Sequence, residues 1–255
     1  MNKFFILMLF TANFIYSQTS SLGLISYERK ESVIFPKARE YKLHFDSNFS
    51  FLEEIYSKED YENRNKNAPK FIQEIYNIGP DFENIYYFFD LTNDNFYFKS
   101  FLLLEYAVAE DYLRFEWEIK SETKTILGYE CQRATSKVFR GRNYEAWFAS
   151  KIPIPFGPWK ANGLPGIILE LYDSDKLIHF KANEISLNNK SEVDFEQLKQ
   201  RIITEKPLSI EKYVLLKNKL SKEFVSRIES RLPKSMGSIT SQSKTEIEMF
   251  EENLN

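Results

Sequence analysis

The sequence predicts an α+β fold: a mainly antiparallel β meander that curls into an open or incomplete barrel, with one or two C-terminal helices packed on it. Three observations carry this. Apolar and polar residues alternate at period two through residues 22–186, short polar turns separate the alternating runs, and the period changes to three and four after Ser209.

The elements follow in order. Leu43 and Phe45, then Phe49 and Phe51, flank the turn residues 46–48 and read as a hairpin; residues 86–90 and 96–101 flank residues 91–95 in the same way. Leu113, Phe115, Trp117 and Ile119 alternate with Arg114, Glu116, Glu118 and Lys120, the pattern of a half-buried strand. Residues 129–139 and 144–149 flank a turn over residues 140–143, and residues 167–172 and 177–182 flank one over residues 173–176. Long strands joined by short turns must pair antiparallel, and the resulting sheet must bury one face by curling or by accepting a helix. Residues 194–201 predict a short helix before Pro207. Ser209 is the expected N-cap of a longer one, in which Ile210, Tyr213, Leu216, Leu220, Phe224 and Ile228 form one apolar stripe that Pro233 ends. Residues 59–70 are charged and Asn-rich, hence a surface loop, and the tail after Met236 is polar.

Composition excludes several functions. The 255 residues hold 34 Lys+Arg against 37 Asp+Glu, so no basic surface for nucleic acid is expected. One Cys forbids an internal disulfide framework, and Cys131 reads as a buried thiol. Neither glycine-rich phosphate loop occurs. His44 and His179 are far apart and Cys131 stands alone, so no zinc site, and no cofactor of any kind, is expected. Asp173 and Asp175 have the spacing of an EF-hand start but lack its third ligand and glycine, which leaves a polar hairpin turn.

The N-terminus reads as an export signal. Met1-Asn2-Lys3 is a basic start, residues 4–15 are apolar, and small Ser17 precedes Gln18. An apolar stretch of about 18 Å is too short for a bilayer core of about 30 Å. Residues 1–17 are therefore assigned to a cleaved signal peptide and residues 18–255 to a single β-rich domain. The product is expected in a periplasm or outside the cell, with no transmembrane segment after cleavage.

One segment departs from the strand pattern. Five of the 8 glycines and four of the 9 prolines fall between Gly128 and Gly166. Pro153, Pro155 and Pro158 remove backbone donors and push their neighbours toward extended conformations, which predicts a poorly paired apolar crossover instead of a central strand. Leu164-Pro165-Gly166-Ile167 fits a type II turn with Gly166 at positive φ. Trp147 and Trp159 flank the crossover; with Pro153, Pro155, Pro158, Gly163, Leu164, Pro165 and Gly166 they form the candidate binding surface. Glu170 sits inside an apolar strand, and an arginine from the neighbouring turn, Arg140 or Arg142, could supply a buried ion pair.

These residues carry a family resemblance. Gly163-Leu164-Pro165-Gly166-Ile167-Ile168 resembles the name motif of the GLPGLI family, exported proteins of Bacteroidetes with no assigned activity. Gly128, Cys131 and Ala134, then Phe139-Arg140-Gly141-Arg142, Ala146-Trp147-Phe148, Ile152-Pro153-Ile154 and Gly157-Pro158 precede it in the family's order. The resemblance covers about residues 125–185, with Ile167 where the family usually has Leu. It implies an envelope or secreted protein, genes often near those of outer-membrane receptors, and no established catalytic residues.

Two functional expectations follow. The preferred one is a non-catalytic envelope protein that binds a hydrophobic or peptide ligand, or an outer-membrane protein partner. The alternative is a carbohydrate-active hydrolase using paired carboxylates, which converge only in three dimensions. Whether the concave face of the sheet is filled by its own side chains decides how a carrier could work.

Overall fold

A computed structural model describes residues 23–31, 37–55, 66, 83–102, 105–112, 114–187 and 193–230. The expected signal peptide at residues 1–17, the expected loop at residues 59–70 apart from Lys66, Pro233, and the tail after Met236 lie outside these described residues.

Twelve strands form one sheet whose two ends do not pair. The strands are β1 (Gly23–Glu31), β2 (Lys37–Phe45), β3 (Phe49–Ile55), β4 (Tyr86–Asp90), β5 (Asn95–Phe101), β6 (Tyr106–Glu110), β7 (Trp117–Ile126), β8 (Tyr129–Phe139), β9 (Arg142–Ala149), β10 (Ile167–Asp173), β11 (Ile178–Leu187) and β12 (Leu208–Ser209). Helix α1 (Phe195–Thr204) precedes β12, and α2 (Ile210–Glu229) follows it. The sheet order is β12-β6-β5-β4-β3-β2-β1-β11-β10-β9-β8-β7. Two meanders therefore meet in the middle: β1 to β6 step outward, β7 restarts at the far edge, and β8 to β11 step back until β11 pairs with β1. Every pairing is antiparallel except that of β12 with β6.

Local chemistry explains the hairpins. Leu127 and Gly128 both have positive φ (50° and 81°), as do Arg140 and Gly141 (49° and 78°). Two consecutive residues of this kind make the type I′ turn that matches the twist of the flanking strands. The turn after β8 is thus shorter than the sequence predicts, and Arg142 and Asn143 already belong to β9. Between β2 and β3, the Asp46 carboxylate accepts the amides of Asn48 and Phe49, both at 2.7 Å. A second correction concerns β7, which begins at Trp117 and does not take in Arg114 or Phe115, while Leu113 lies outside the described residues. The Arg114 guanidinium donates to the backbone carbonyls of Asp94 (2.6 Å) and Asp111 (3.1 Å), holding that segment outside the ladder. Phe115 is nonetheless buried, its ring 3.9 Å from that of Phe139 and 4.8 Å from that of Trp117.

The sheet buries both faces over β3 to β6. On one face Phe49, Phe51, Tyr86, Phe88, Tyr97 and Val108 lie beneath Phe195, Leu198 and Ile202 of α1. Asp194 caps that helix by accepting the Gln197 amide at 2.9 Å. The other, concave face gathers Leu43, Leu52, Tyr87, Phe89, Phe96 and Phe98 into the main core, joined by Tyr213 and Leu220 of α2. Tyr213 meets Phe98 edge-on at 5.0 Å. Double coverage explains why β4 reads Tyr-Tyr-Phe-Phe-Asp without alternation. No described helix is long and apolar enough to cross a membrane.

Candidate functional site

The crossover from β9 to β10 folds against itself inside the concave face. Ile167 donates to the Ile152 carbonyl (3.0 Å), Gly163 to Pro155 (2.9 Å), and Ile168 to Phe156 (2.9 Å). Phe156 is fully buried and meets Phe89 edge-on at 5.7 Å. Trp159 is packed among Phe115, Phe139 and Tyr144, with ring centroids 6.2, 5.8 and 5.5 Å away. Pro158, Leu164 and Gly166 are buried, Pro155 is half-buried, and Pro153, Gly163 and Pro165 are exposed. The crossover is therefore apolar and poorly paired, as expected, but its large side chains point into the core and not toward a groove.

The glycines divide two tasks differently from the predicted type II turn. Gly163 carries the positive φ (90°), with open space where a side chain would stand. Gly166 is required by proximity: a Cβ there would lie 2.4 Å from the Ala149 carbonyl oxygen and 2.9 Å from the Ser150 Cα. Backbone cannot yield as a flexible side chain can. Gly166→Ala should destabilise by about 1–3 kcal/mol or more, and Gly163→Ala by about 1–2 kcal/mol. Thermal melts of the two variants check the order; a Gly163→Ala melt at or below that of Gly166→Ala would reverse this assignment.

The three charged candidates do not meet one another. Arg140 donates to both Asp111 oxygens at 2.8 and 3.0 Å, and Arg142 to Asp173 (3.3 Å) and Asp175 (3.0 Å). Glu170 instead takes Lys124 and His179 as partners, His179 Nε2 lying 2.6 Å from Oε1. The expectation that Glu170 is buried and paired holds, while the expected arginine is corrected to a lysine from β7 and a histidine from β11. Burial alone would push the Glu170 carboxyl up. Hydrogen bonds from His179 and Lys124, aided by the charges of both, outweigh it and hold the group at about 2, below its usual 4.5.

A depressed carboxylate pKa gives stability that is present above the unfolded value and lost as pH falls toward the folded one. Glu170→Gln should therefore melt lower than the wild type at neutral pH, by a difference on the order of 3 kcal/mol. That difference should shrink between pH 4.5 and about 2. A gap that stays constant across this window would show that charge is not what Glu170 contributes.

Around Glu170 lies a polar band that sequence reading missed. In register across β8 to β11, Arg133, Trp147, Glu170 and Lys181 stand opposite one another, as do Thr135, Glu145, Tyr172 and His179. Tyr172 donates its hydroxyl to Glu145, which also accepts from the Trp147 indole (3.1 Å) and pairs with Arg133 (2.6 Å). Lys124 Nζ sits 4.1 Å from the Trp147 ring centroid. Trp147 and Trp159 thus serve opposite faces of the sheet. Period-two spacing of Glu145 with Trp147 and of Glu170 with Tyr172 was the available signal.

Among the described residues, the concave face is lined by large apolar side chains. A recess lined by Leu43, Leu52, Phe89, Phe156, Lys160 and Asn162 has a volume of about 10 Å³, the room of one water. Cys131 is fully buried and free, and burial pushes its thiol up to about 11, so it is not a poised nucleophile. Among the described residues no three His, Cys, Asp or Glu side chains are placed to hold a metal ion.

With this geometry in hand, the chain can be set beside known proteins. The profile of a family described as "Protein of unknown function (Porph_ging)" matches residues 138–170. That stretch contains the turn before β9, the crossover and Glu170. No curated protein matches the sequence. Solved structures of PNGF-II in two crystal forms are 17% and 19% identical, each with a TM-score of 0.49. These matches cover 70% of this chain but only 29% and 30% of theirs. An uncharacterized conserved protein from Thermus thermophilus is 7% identical over 70% of this chain and 85% of its own, with a TM-score of 0.36.

Proposed function

We propose that the protein is an exported, non-catalytic cell-envelope module of the GLPGLI type that engages a peptide segment of an envelope partner on its outer polar band. The filling of the concave face carries this reading. Phe156, Trp159 and Tyr213 occupy the space in which a carrier would hold an apolar ligand. The band offers half-buried Glu145, Tyr172 and His179, fixed by buried Glu170 and Trp147 beneath them, a surface suited to peptide hydrogen bonds. Residues 1–17 would be removed on export and residues 18–255 would act as one unit in the periplasm or outside the cell.

The hydrolase alternative fits these groups less well. A two-carboxylate glycosidase needs two carboxyl groups free to face a substrate, whereas Glu170 is engaged by Lys124 and His179, and Glu145 by Arg133, Trp147 and Tyr172. Photocrosslinking tests the preferred reading. Lys181→p-benzoylphenylalanine, on the exposed rim of the band, should give a discrete adduct with an envelope protein in intact cells. The same probe at Ile203, exposed on α1, should not. Equal labelling from both positions, or none from position 181, would remove the band from the account. Stoichiometric lipid in a native mass spectrum would return the role to a carrier.

A further inference from the structure

At one end of the sheet, α2 packs on β12 and β6. At the other end β7 is the last strand, and among the described residues no strand pairs with its outer edge. It is ten residues long, contains neither Pro nor Gly, and leaves Glu118, Ile119, Ser121, Glu122, Thr123 and Thr125 exposed. An edge of this length presents unused backbone donors and acceptors to any matching strand.

The charges of β7 alternate in sign at two-residue spacing: Glu118, Lys120, Glu122, Lys124. All four reach the same face of the sheet. Lys120 pairs with Glu118, Glu122 with Arg133 (2.8 Å), and Lys124 with Glu170, while Arg133 and Glu170 both stand opposite Trp147. This order is complementary to itself when reversed. If a second copy of β7 lies antiparallel with Ser121 on the twofold axis, Glu118 faces Lys124 and Lys120 faces Glu122, twice over.

The backbone has the same symmetry. The ladder with β8 is regular up to Ile119 opposite Ala134 and resumes at Thr123 opposite Gln132, so β7 carries its irregularity over the residues centred on Ser121. Gln132 holds that bend by donating to the Lys120 carbonyl at 2.7 Å. Such irregularities usually protect an edge from indiscriminate pairing. A second β7 brings the same bend to the same place, so both shape and charge single out a copy of this chain as the partner. A generic extended peptide would supply neither.

We infer that β7 is a homodimerisation edge, at which two chains pair antiparallel about Ser121 and join their sheets. A twofold contact of this kind is isologous and closes at two copies. The dimer would also bring the two outer polar bands side by side, although it does not depend on the role proposed for them.

Charge reversal tests the register. Lys120→Glu places two glutamates opposite each other at both Lys120–Glu122 positions, and Glu122→Lys places two lysines there. Analytical ultracentrifugation should find the wild type dimeric, each variant shifted to monomer, and the dimer restored on mixing the two variants, whose charges are then opposite at both positions. Lys120 and Glu122 pair only at the surface, so thermal melts should show both variants folded. A monomeric wild type, variants that remain dimeric, or a mixture that stays monomeric would each overturn the proposal.

Discussion

Asp111→Ala should lower stability by about 3–5 kcal/mol, read as a fall in the urea midpoint with an unchanged slope. Asp111 is 1% exposed and accepts from Arg140 through both oxygens, while Lys160 Nζ, itself buried, lies 3.3 Å away. The Lys160 ammonium also sits 3.9 Å from the Phe98 ring centroid. Removing the shared carboxylate leaves buried Lys160 and half-buried Arg140 without it, and the desolvation already incurred is no longer offset. Lys160→Met should be milder, because it withdraws one charge and leaves Asp111 paired with Arg140 in two-oxygen geometry. The asymmetry is the test: equal losses for Asp111→Ala and Lys160→Met would mean that packing, not charge, is what this cluster contributes. The cluster ties three chain segments together, namely the end of β6, the turn between β8 and β9, and the crossover. Weakening it should therefore loosen the crossover first.

The fold was readable where a residue's own chemistry decides its neighbourhood. Asp46 and Asn48 mark a turn because the aspartate can accept nearby amides, and Ser209 marks a helix start because its hydroxyl can accept the Lys212 amide, at 3.5 Å here. The alternation in β9 and β10 separates two faces for the same reason. What was not readable depends on strands that are distant in the chain. Glu170 was recognisable as a buried acid, but its partners come from β7 and β11, and only the register across β8 and β9 brings Lys124 within reach. Arg140 and Arg142 were the expected partners, yet the fold gives Arg140 to Asp111 and Arg142 to Asp173 and Asp175. Gly166 looked like a turn residue because Pro-Gly favours one. Its real constraint is the backbone of Ala149 and Ser150, which no local rule detects.

Trp159→Ala should also cost about 3–5 kcal/mol, because the indole is 4% exposed and fills the space between Phe115, Phe139 and Tyr144. A role in recognition at this position would leave the midpoint nearly unchanged and abolish partner adducts. A core role lowers the midpoint and leaves the adducts from position 181 intact wherever the protein is still folded. The backbone supplies a sharper test. Trp159 has φ of 58°, in the left-handed region where a residue with a Cβ is strained by about 1–2 kcal/mol. Glycine ordinarily destabilises a site relative to alanine through its greater unfolded-state entropy, by about 0.5–1 kcal/mol. Here that loss is opposed by relief of the left-handed strain, which is of equal or larger size. Trp159→Gly should therefore be no less stable than Trp159→Ala, and by up to about 1 kcal/mol more stable, although it removes one more carbon from the core. Urea titration of the two variants side by side measures the difference. A glycine variant clearly weaker than the alanine variant would mean that the tryptophan ring, and not the crossover, holds residue 159 in its left-handed conformation.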